Sequence, residues 1–173
     1  ITMASLAYAQ DYDEFLPASY KVGPPVYWTQ TIAPYVKNTG VYNCPSLTNL
    51  PSGSWGGAQM AYGWNYYYLT YNPGGRTANY NQPTAGLAQI QSPAETVMVG
   101  DGPSCSNMPA GTLYYPDIYS GTRVNAMGYV LSSSGAYFPN LRHMDLANIG
   151  FCDGHVKACT MGYLGQSSVF DLN

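Results

Sequence analysis

Charged residues are scarce in this sequence. Asp, Glu, Lys and Arg make up 9% of the chain, against roughly 25% in an ordinary soluble domain. Six basic and nine acidic residues give a net charge of −3. Nucleic-acid binding requires a basic stripe, so we expect no nucleic-acid partner. Aromatic residues at 14% exclude a disordered chain, because disordered chains lack them.

The sequence also lacks long hydrophobic runs and the motifs of common cofactor sites. No run of 18 apolar residues occurs, so we expect no membrane span within this chain. Neither a phosphate loop nor a dinucleotide fingerprint is present. No signal peptide is seen, and the chain begins at Ile1 and not at Met. We therefore expect a longer gene product.

The four cysteines lack the paired spacing of a zinc site. In a chain of low charge that is rich in Tyr, two disulfides in an oxidising compartment are the favoured interpretation. Four cysteines allow three pairings, between which the sequence does not choose. Four buried free thiols are the alternative. The cysteines are Cys44, Cys105, Cys152 and Cys159.

Tyrosine is abundant instead, with 18 residues. A neutral surface of Tyr, Ser, Thr, Asn and Gln suits packing against copies of the same chain, or against glycan. The sequence has no Asn-x-Ser/Thr sequon, so any attached glycan would be on Ser or Thr. Trp and Tyr side chains that stack on sugar rings would indicate a carbohydrate-binding module instead. The candidates for a self-assembly surface are Trp55, Trp64, Tyr67, Tyr114, Tyr115 and Tyr119.

The order of the segments predicts an α+β fold of one domain over residues 1–173. An apolar stripe near helical period predicts a helix over residues 1–16, stopped at Pro17. A second short helix is expected over 27–37, followed by a short strand over 40–45. The helix at the start of the chain is expected to lie on an antiparallel sheet that carries long irregular loops.

Four further segments are predicted strands. They cover 60–71, 95–100, 147–152 and 156–160, and they are rich in β-branched or aromatic residues. The last two flank Asp153-Gly154, which is a strong hairpin signal. Residues 103–140 are expected to form a long insertion, a kind of segment that is often functional.

The end of the chain carries the most specific pattern. Arg142-His143 is followed after nine residues by Asp153-Gly154. This His-x9-Asp-Gly spacing resembles the C-terminal signature of type IV pilin-like and type II secretion pseudopilin-like proteins. Four further blocks resemble that family in its order, namely LAYAQDYDEFLP, WTQTIAPYVKNTGVYNCPS, AYGWNYYYL and SPAETVMVGDG.

The resemblance implies a structural subunit of an extracellular filament or tube, whose partners are copies of itself, and not an enzyme. A minor pseudopilin of a secretion machine and a secreted carbohydrate-binding module are the alternatives. Family members carry a leader, a processing site and a long apolar helix that this sequence does not contain. Either that part was removed or left out, or the protein assembles by another route.

Two interpretations remain open for the polar residues near the predicted strand ends. Asp101, His143, Asp153 and His155 are candidate ligands for calcium (Ca²⁺) or a transition metal. Related pseudopilins bind calcium in C-terminal loops. The alternative is structural: Asp153 caps its own turn, and His143 hydrogen-bonds a backbone carbonyl. Ser104, Asp101 and His143 contain the residue types of a hydrolase triad, but the nucleophile elbow is missing.

Overall fold

A sheet of short strands forms the centre of the protein, in a computed structural model that describes residues 1–18, 20–21, 26–46, 61–65, 67–71, 84–101, 112–113 and 141–164. The strand order is β5-β3-β4-β6-β7. Its strands are β3 (Tyr62–Asn65), β4 (Val97–Asp101), β5 (Thr112–Leu113), β6 (Ala147–Phe151) and β7 (Val156–Cys159). A separate antiparallel pair joins β1 (Tyr20–Lys21) to β2 (Val26–Tyr27).

The four strands β3, β4, β6 and β7 pair in antiparallel fashion, whereas β5 runs parallel to β3. The predicted α+β class with an antiparallel sheet is therefore confirmed. Strand β4 is central and is buried along its whole length. Such burial on both faces explains its run of Val and Met, since neither face requires polar residues. The pairing of β4 with β6 shifts in register between Val97 and Val99.

The first helix, α1 (Thr2–Asp11), lies on this sheet through a face of small residues. The closest approach is at Gly150 of β6, where an added Cβ atom would lie 2.2 Å from Cγ2 of Thr2. Only glycine permits that spacing. The Thr2 hydroxyl also donates a hydrogen bond to the carbonyl of Gly154, at 3.0 Å. The start of α1 is therefore fixed to the β6–β7 hairpin.

Helix α1 ends earlier than Pro17 predicts. Its last residue is Asp11, and Asp13 and Glu14 then take left-handed backbone conformations with φ of 50° and 62°. The amide of Glu14 still donates to the carbonyl of Ala9, at 2.8 Å. The acidic segment therefore serves as the end of the helix and the turn after it. At Phe15 the chain forms an isolated bridge with Gly86.

The remaining helices are short: α2 (Trp28–Thr31), α3 (Met161–Leu164), 3₁₀ turns at Ala33–Tyr35, Thr39–Tyr42 and Leu87–Gln89, and a π-type turn at Tyr67–Tyr71. Two sequence predictions are wrong here. The expected strand over 40–45 is a 3₁₀ turn, because the Asn38 side chain accepts a hydrogen bond from the amide of Gly40. The expected strand over 60–71 stops after Asn65.

The core lies between the sheet and the helices. The rings of Trp28 and Trp64 are 5.5 Å apart, and both residues are buried together with Leu16, Ile32 and Leu69. Within the described residues, no helix combines the length and the apolar character that crossing a bilayer requires. The predicted insertion over 103–140 lies outside the described residues, except for β5.

Candidate functional site

A buried carboxylate marks the end of strand β4. Asp101 is 0% exposed, so its charge requires compensation from the protein. The Arg142 guanidinium donates to Oδ1 from Nε at 3.2 Å and from an Nη atom at 2.9 Å. The backbone amide of Asn148 on β6 donates to the other oxygen, Oδ2, at 2.6 Å. Asp101 therefore joins β4 to β6 and to the segment that precedes β6.

Arg142 is almost as buried as the carboxylate it pairs with, at 7% side-chain exposure. Its guanidinium also donates to the carbonyl of Ala61, immediately before β3. The fork geometry of Arg suits two acceptors at once, which the point charge of Lys does not. This one side chain therefore links the ends of strands β3 and β4.

His143 and Cys44 lie beside the same carboxylate. His143 Nε2 is 3.4 Å from Asp101 Oδ2 and 3.5 Å from Cys44 Sγ. Cys44 is buried, while the His143 side chain is 28% exposed. The ligand atoms of Cys44, Asp101 and His143 all lie within 4.8 Å of one another. We call these three residues the Cys-Asp-His cluster.

A tight turn presents His143 to the cluster. The backbone of His143 exchanges two hydrogen bonds with that of Leu146, each 3.1 Å long. Met144 and Asp145 between them have φ of 52° and 60°, a left-handed conformation that is uncommon outside glycine. Among the described residues, the contacts of the His143 side chain are with a carboxylate and a thiol and not with a backbone carbonyl. The bonds that tie the loop at His143 to Leu146 come from the backbone.

Tyr62 completes the surroundings of the cluster. It faces Asp101 across the β3–β4 ladder. Burial raises the pKa of the Tyr62 hydroxyl, and the nearness of Cys44 and Asp101 raises it further, although Arg142 opposes this. The phenol is therefore neutral at physiological pH.

The four predicted metal ligands divide into two groups. Asp101 and His143 meet at the start of β6, whereas Asp153 and His155 belong to the turn after β6. Asp101 contacts the backbone of Asn148, near the start of β6. Asp153 lies five residues further along the chain, and at about 3.3 Å per residue this puts it about 16 Å from Asn148. The predicted four-residue convergence is therefore wrong. Calcium also fits neither group, because it takes six to eight oxygen ligands.

The turn at Asp153 is built as its sequence indicates. Asp153 Oδ1 accepts hydrogen bonds from the His155 amide at 3.0 Å and faces its ring Nδ1 at 2.6 Å. Desolvation opposes ionisation here, but these bonds from His155 win and lower the pKa of the Asp153 carboxyl. Gly154 has φ of 98°, which glycine adopts without strain. Asp153 is thus satisfied inside its own turn.

The predicted disulfides are not formed among the cysteines that the structure describes. Cys44, Cys152 and Cys159 are buried free thiols, and Cys105 lies outside the described residues. Cys159 pairs with Ala147 in the β6–β7 ladder, while Cys152 follows the opposite end of β6. That separation is about 16 Å, far beyond the roughly 7 Å limit between Cα atoms of a disulfide. Burial raises the pKa of both the Cys152 and Cys159 thiols.

The structure also corrects the predicted aromatic surface. Trp64 is fully buried, because β3 lies between β4 and β5 and its ring packs on Trp28. Trp64 can therefore neither stack on a sugar nor contact another subunit. Tyr68 is buried too. Trp55, Tyr114, Tyr115 and Tyr119 lie outside the described residues, and so does the side chain of Tyr67.

The arrangement of the cluster differs from that of a nucleophilic triad. In a triad the nucleophile and the carboxylate contact different nitrogens of the histidine ring. Here Cys44 and Asp101 both face Nε2. Ser104, the residue considered as nucleophile from the sequence, lies outside the described residues.

Two residues at the Asp101 site were not predicted from the sequence to belong to it. Cys44 was expected in a disulfide, and Arg142 was noted only as the neighbour of His143. Positions 44, 101 and 143 are too far apart for any spacing rule, since such rules describe ligands that are close in the chain. The one usable signal is the scarcity of charge, because an Arg in so neutral a chain usually has a specific partner.

Comparisons with known proteins give no relative for this chain. No family model, no curated protein and no solved structure matches it.

Proposed function

We propose that this protein is a pilin-like structural subunit that assembles with copies of itself into an extracellular filament or tube. Five sequence blocks that resemble pilin-like and pseudopilin-like proteins, in the order of that family, support this assignment. A helix on an antiparallel sheet is compatible with it. Scarce charge also favours it, because charged residues are depleted in the cores of protein interfaces.

The observation that carries the proposal is an apolar patch where α1 meets the β6–β7 hairpin. Met3 is 68% exposed and Val156 is 63% exposed. Val156 pairs with Gly150 across the ladder, and cross-strand partners share a face of the sheet. Gly150 faces Thr2 of α1, and an added Cβ at Gly154 would lie 3.2 Å from the Met3 sulfur, so Val156 and Met3 both lie on the helix side of the hairpin. We call Met3 and Val156 the helix–hairpin patch.

The sheet edge beside this patch favours assembly further. Strand β7 is the last strand of the sheet in its described part, and its first three residues are exposed. Proteins commonly protect such an edge with charge or proline, but Lys157 is the single charged residue of β7. Its ammonium lies 4.8 Å from the ring centre of Tyr163 and is drawn toward it. An apolar patch next to a weakly protected edge suits contact with a second copy.

Introducing a charge at the helix–hairpin patch tests the proposal. Val156→Lys should abolish or shorten polymers, because a subunit contact would have to bury a new charge. Val41→Lys is the matched control, since Val41 is 43% exposed but lies on the 3₁₀ turn Thr39–Tyr42. Polymer length is measured by electron microscopy, and folding by circular dichroism. Polymers of normal length from folded Val156→Lys protein would contradict the assigned contact.

A further inference from the structure

The Cys-Asp-His cluster combines three ligand types from three distant parts of the chain. Cys44 follows the 3₁₀ turn Thr39–Tyr42, Asp101 ends β4, and His143 precedes β6. We propose that Cys44, Asp101 and His143 bind one divalent transition-metal ion of the Zn²⁺ class, through Sγ, a carboxylate oxygen and Nε2. This site is independent of the proposed role in filaments.

The distances fit coordination to a shared ion. Tetrahedral zinc with ordinary bond lengths sets sulfur and nitrogen ligands about 3.5–3.6 Å apart, and nitrogen and oxygen ligands about 3.3–3.5 Å apart. The structure has 3.5 Å between Cys44 Sγ and His143 Nε2, and 3.4 Å between that nitrogen and Asp101 Oδ2. These two separations match edges of such a tetrahedron, and the third pair, Cys44 Sγ and the carboxylate oxygen, lies within 4.8 Å, so that binding would draw these two atoms closer together.

Hydrogen bonding alone explains the geometry less well. A neutral imidazole nitrogen carries at most one proton, yet Nε2 of His143 faces both a carboxylate oxygen and a thiol. An N–H···O bond is normally 2.7–3.2 Å long, whereas the contact with Asp101 Oδ2 is 3.4 Å. One proton on Nε2 therefore cannot satisfy both neighbours with normal geometry, whereas a cation would be bound by the nitrogen, the carboxylate oxygen and the sulfur together.

The surroundings hold the carboxylate ready for an ion. Arg142 occupies Oδ1 of Asp101, and the Asn148 amide takes one lone pair of Oδ2. A carboxylate oxygen has two lone pairs, so Oδ2 retains one that faces His143. Hydrogen bonds to a ligand from outside the metal site are the usual means of orienting it. Arg142 and Asn148 are therefore positioning residues for the proposed site.

The ligand set selects the class of ion. Thiolate and imidazole suit zinc and its chemical neighbours, whereas calcium and magnesium take oxygen ligands. On binding, the Cys44 S–H bond breaks, a sulfur–metal bond forms and the proton leaves to solvent. Binding should therefore tighten as pH rises. Three protein ligands would leave the fourth position of a tetrahedral ion to water or another small ligand.

Such an ion would link the Cys44 segment to the end of strand β4 and to the segment that precedes β6. Ligands that bind only the folded state stabilise it. The chelator dependence of the melting temperature therefore reports the site, whether or not the protein forms polymers.

Cobalt is the probe for the test, because thiolate-bound Co²⁺ gives a charge-transfer absorption that other ligands do not produce. The protein is stripped with chelator and titrated with CoCl₂, then with ZnCl₂. We expect one Co²⁺ per chain, a thiolate band, and displacement by Zn²⁺. Added Zn²⁺ should also raise the melting temperature of the stripped protein.

Matched variants assign the ligands. Cys44→Ser and His143→Ala should lose the thiolate band and the zinc-dependent rise in melting temperature. Cys159→Ser and His155→Ala are the controls, because both residues lie on the β6–β7 hairpin away from the cluster. They should keep both signals.

Either of the following would overturn the inference: no thiolate band in the wild type, or the wrong pattern of bands in the variants. One is the absence of a thiolate band in the wild-type protein at saturating Co²⁺, a measurement that needs no variant to fold. The other is a band that persists in Cys44→Ser, or that disappears in Cys159→Ser.

Discussion

Replacing Arg142 by Met tests the role of the buried ion pair in holding the sheet together. The substitution keeps an unbranched apolar stem but removes the guanidinium that donates twice to Asp101 and once to Ala61. Asp101 is fully buried, so its charge loses its main compensation. Removal of one partner of a buried pair costs about 3–5 kcal/mol.

That cost is a large share of the stability of a domain, which is about 5–15 kcal/mol. For a chain of this size the melting temperature should fall by roughly 6–20 °C. Urea unfolding, followed by the fluorescence of the buried Trp28 and Trp64, measures the free energy directly. Chelator is added throughout, so that no bound metal contributes to the difference.

Two controls make the result specific. Lys157→Met removes an exposed cation near the Tyr163 ring and should cost about 1 kcal/mol or less. The double variant Arg142→Met with Asp101→Leu should cost less than the sum of the two single variants, because it leaves no unpaired charge. A cost below about 1 kcal/mol for Arg142→Met would refute the reasoning, since exposed ion pairs behave in that way.

Three further predictions concern packing and pH. Gly150→Ala should cost about 1–3 kcal/mol in urea unfolding, and adding Thr2→Ser should recover part of it by removing the methyl group that the new Cβ meets. The lowered pKa of Asp153 means that its stabilisation is present above about pH 4 and lost as pH falls through that lowered pKa; unfolding of wild type and Asp153→Asn across acidic pH measures it, and parallel curves would contradict it. The hydrogen bond to Asp11 raises the pKa of Tyr35 to about 12. The contribution of this bond to the stability of the fold is therefore complete below about pH 10 and lost as pH rises toward 12. Tyr35→Phe should remove this alkaline loss, and an unchanged alkaline profile would exclude the bond.

Local sequence signals were sufficient for the end of the sheet. Asp153-Gly154 encodes its own turn through a side-chain acceptor and a positive φ, so the hairpin β6–β7 followed from a few adjacent residues. Strand β4 followed in the same way, because its β-branched residues fill a position buried on both faces. Features that adjacent residues determine can be predicted from those residues.

Non-local features were not predictable from the same signals. Strand β5 is two residues long and pairs in parallel with β3, so its existence depends on a partner far away in the chain. The Thr39–Tyr42 turn has the β-branched composition of a strand, yet the cap from Asn38 decides its conformation. Composition reports local preference, and here a single side-chain hydrogen bond outweighs it.

The candidate site also combines features that adjacent residues determine with features that depend on distant parts of the chain. The spacing of His143 and Asp153 is a sequence pattern, but the two residues serve different structures at opposite ends of β6. The residues that do meet His143 are Cys44 and Asp101, from segments 99 and 42 positions away. Their convergence depends on the strand order of the sheet, which periodicity and composition do not encode.

Electron microscopy of the native assembled material, at low and at high salt, tests the central claim most directly. We expect long polymers of this one chain whose subunit contacts include the helix–hairpin patch. Because few ion pairs can contribute, the polymers should persist at high salt. Monomeric protein under all conditions, or polymers that moderate salt dissolves, would contradict the assignment of a self-assembling filament subunit.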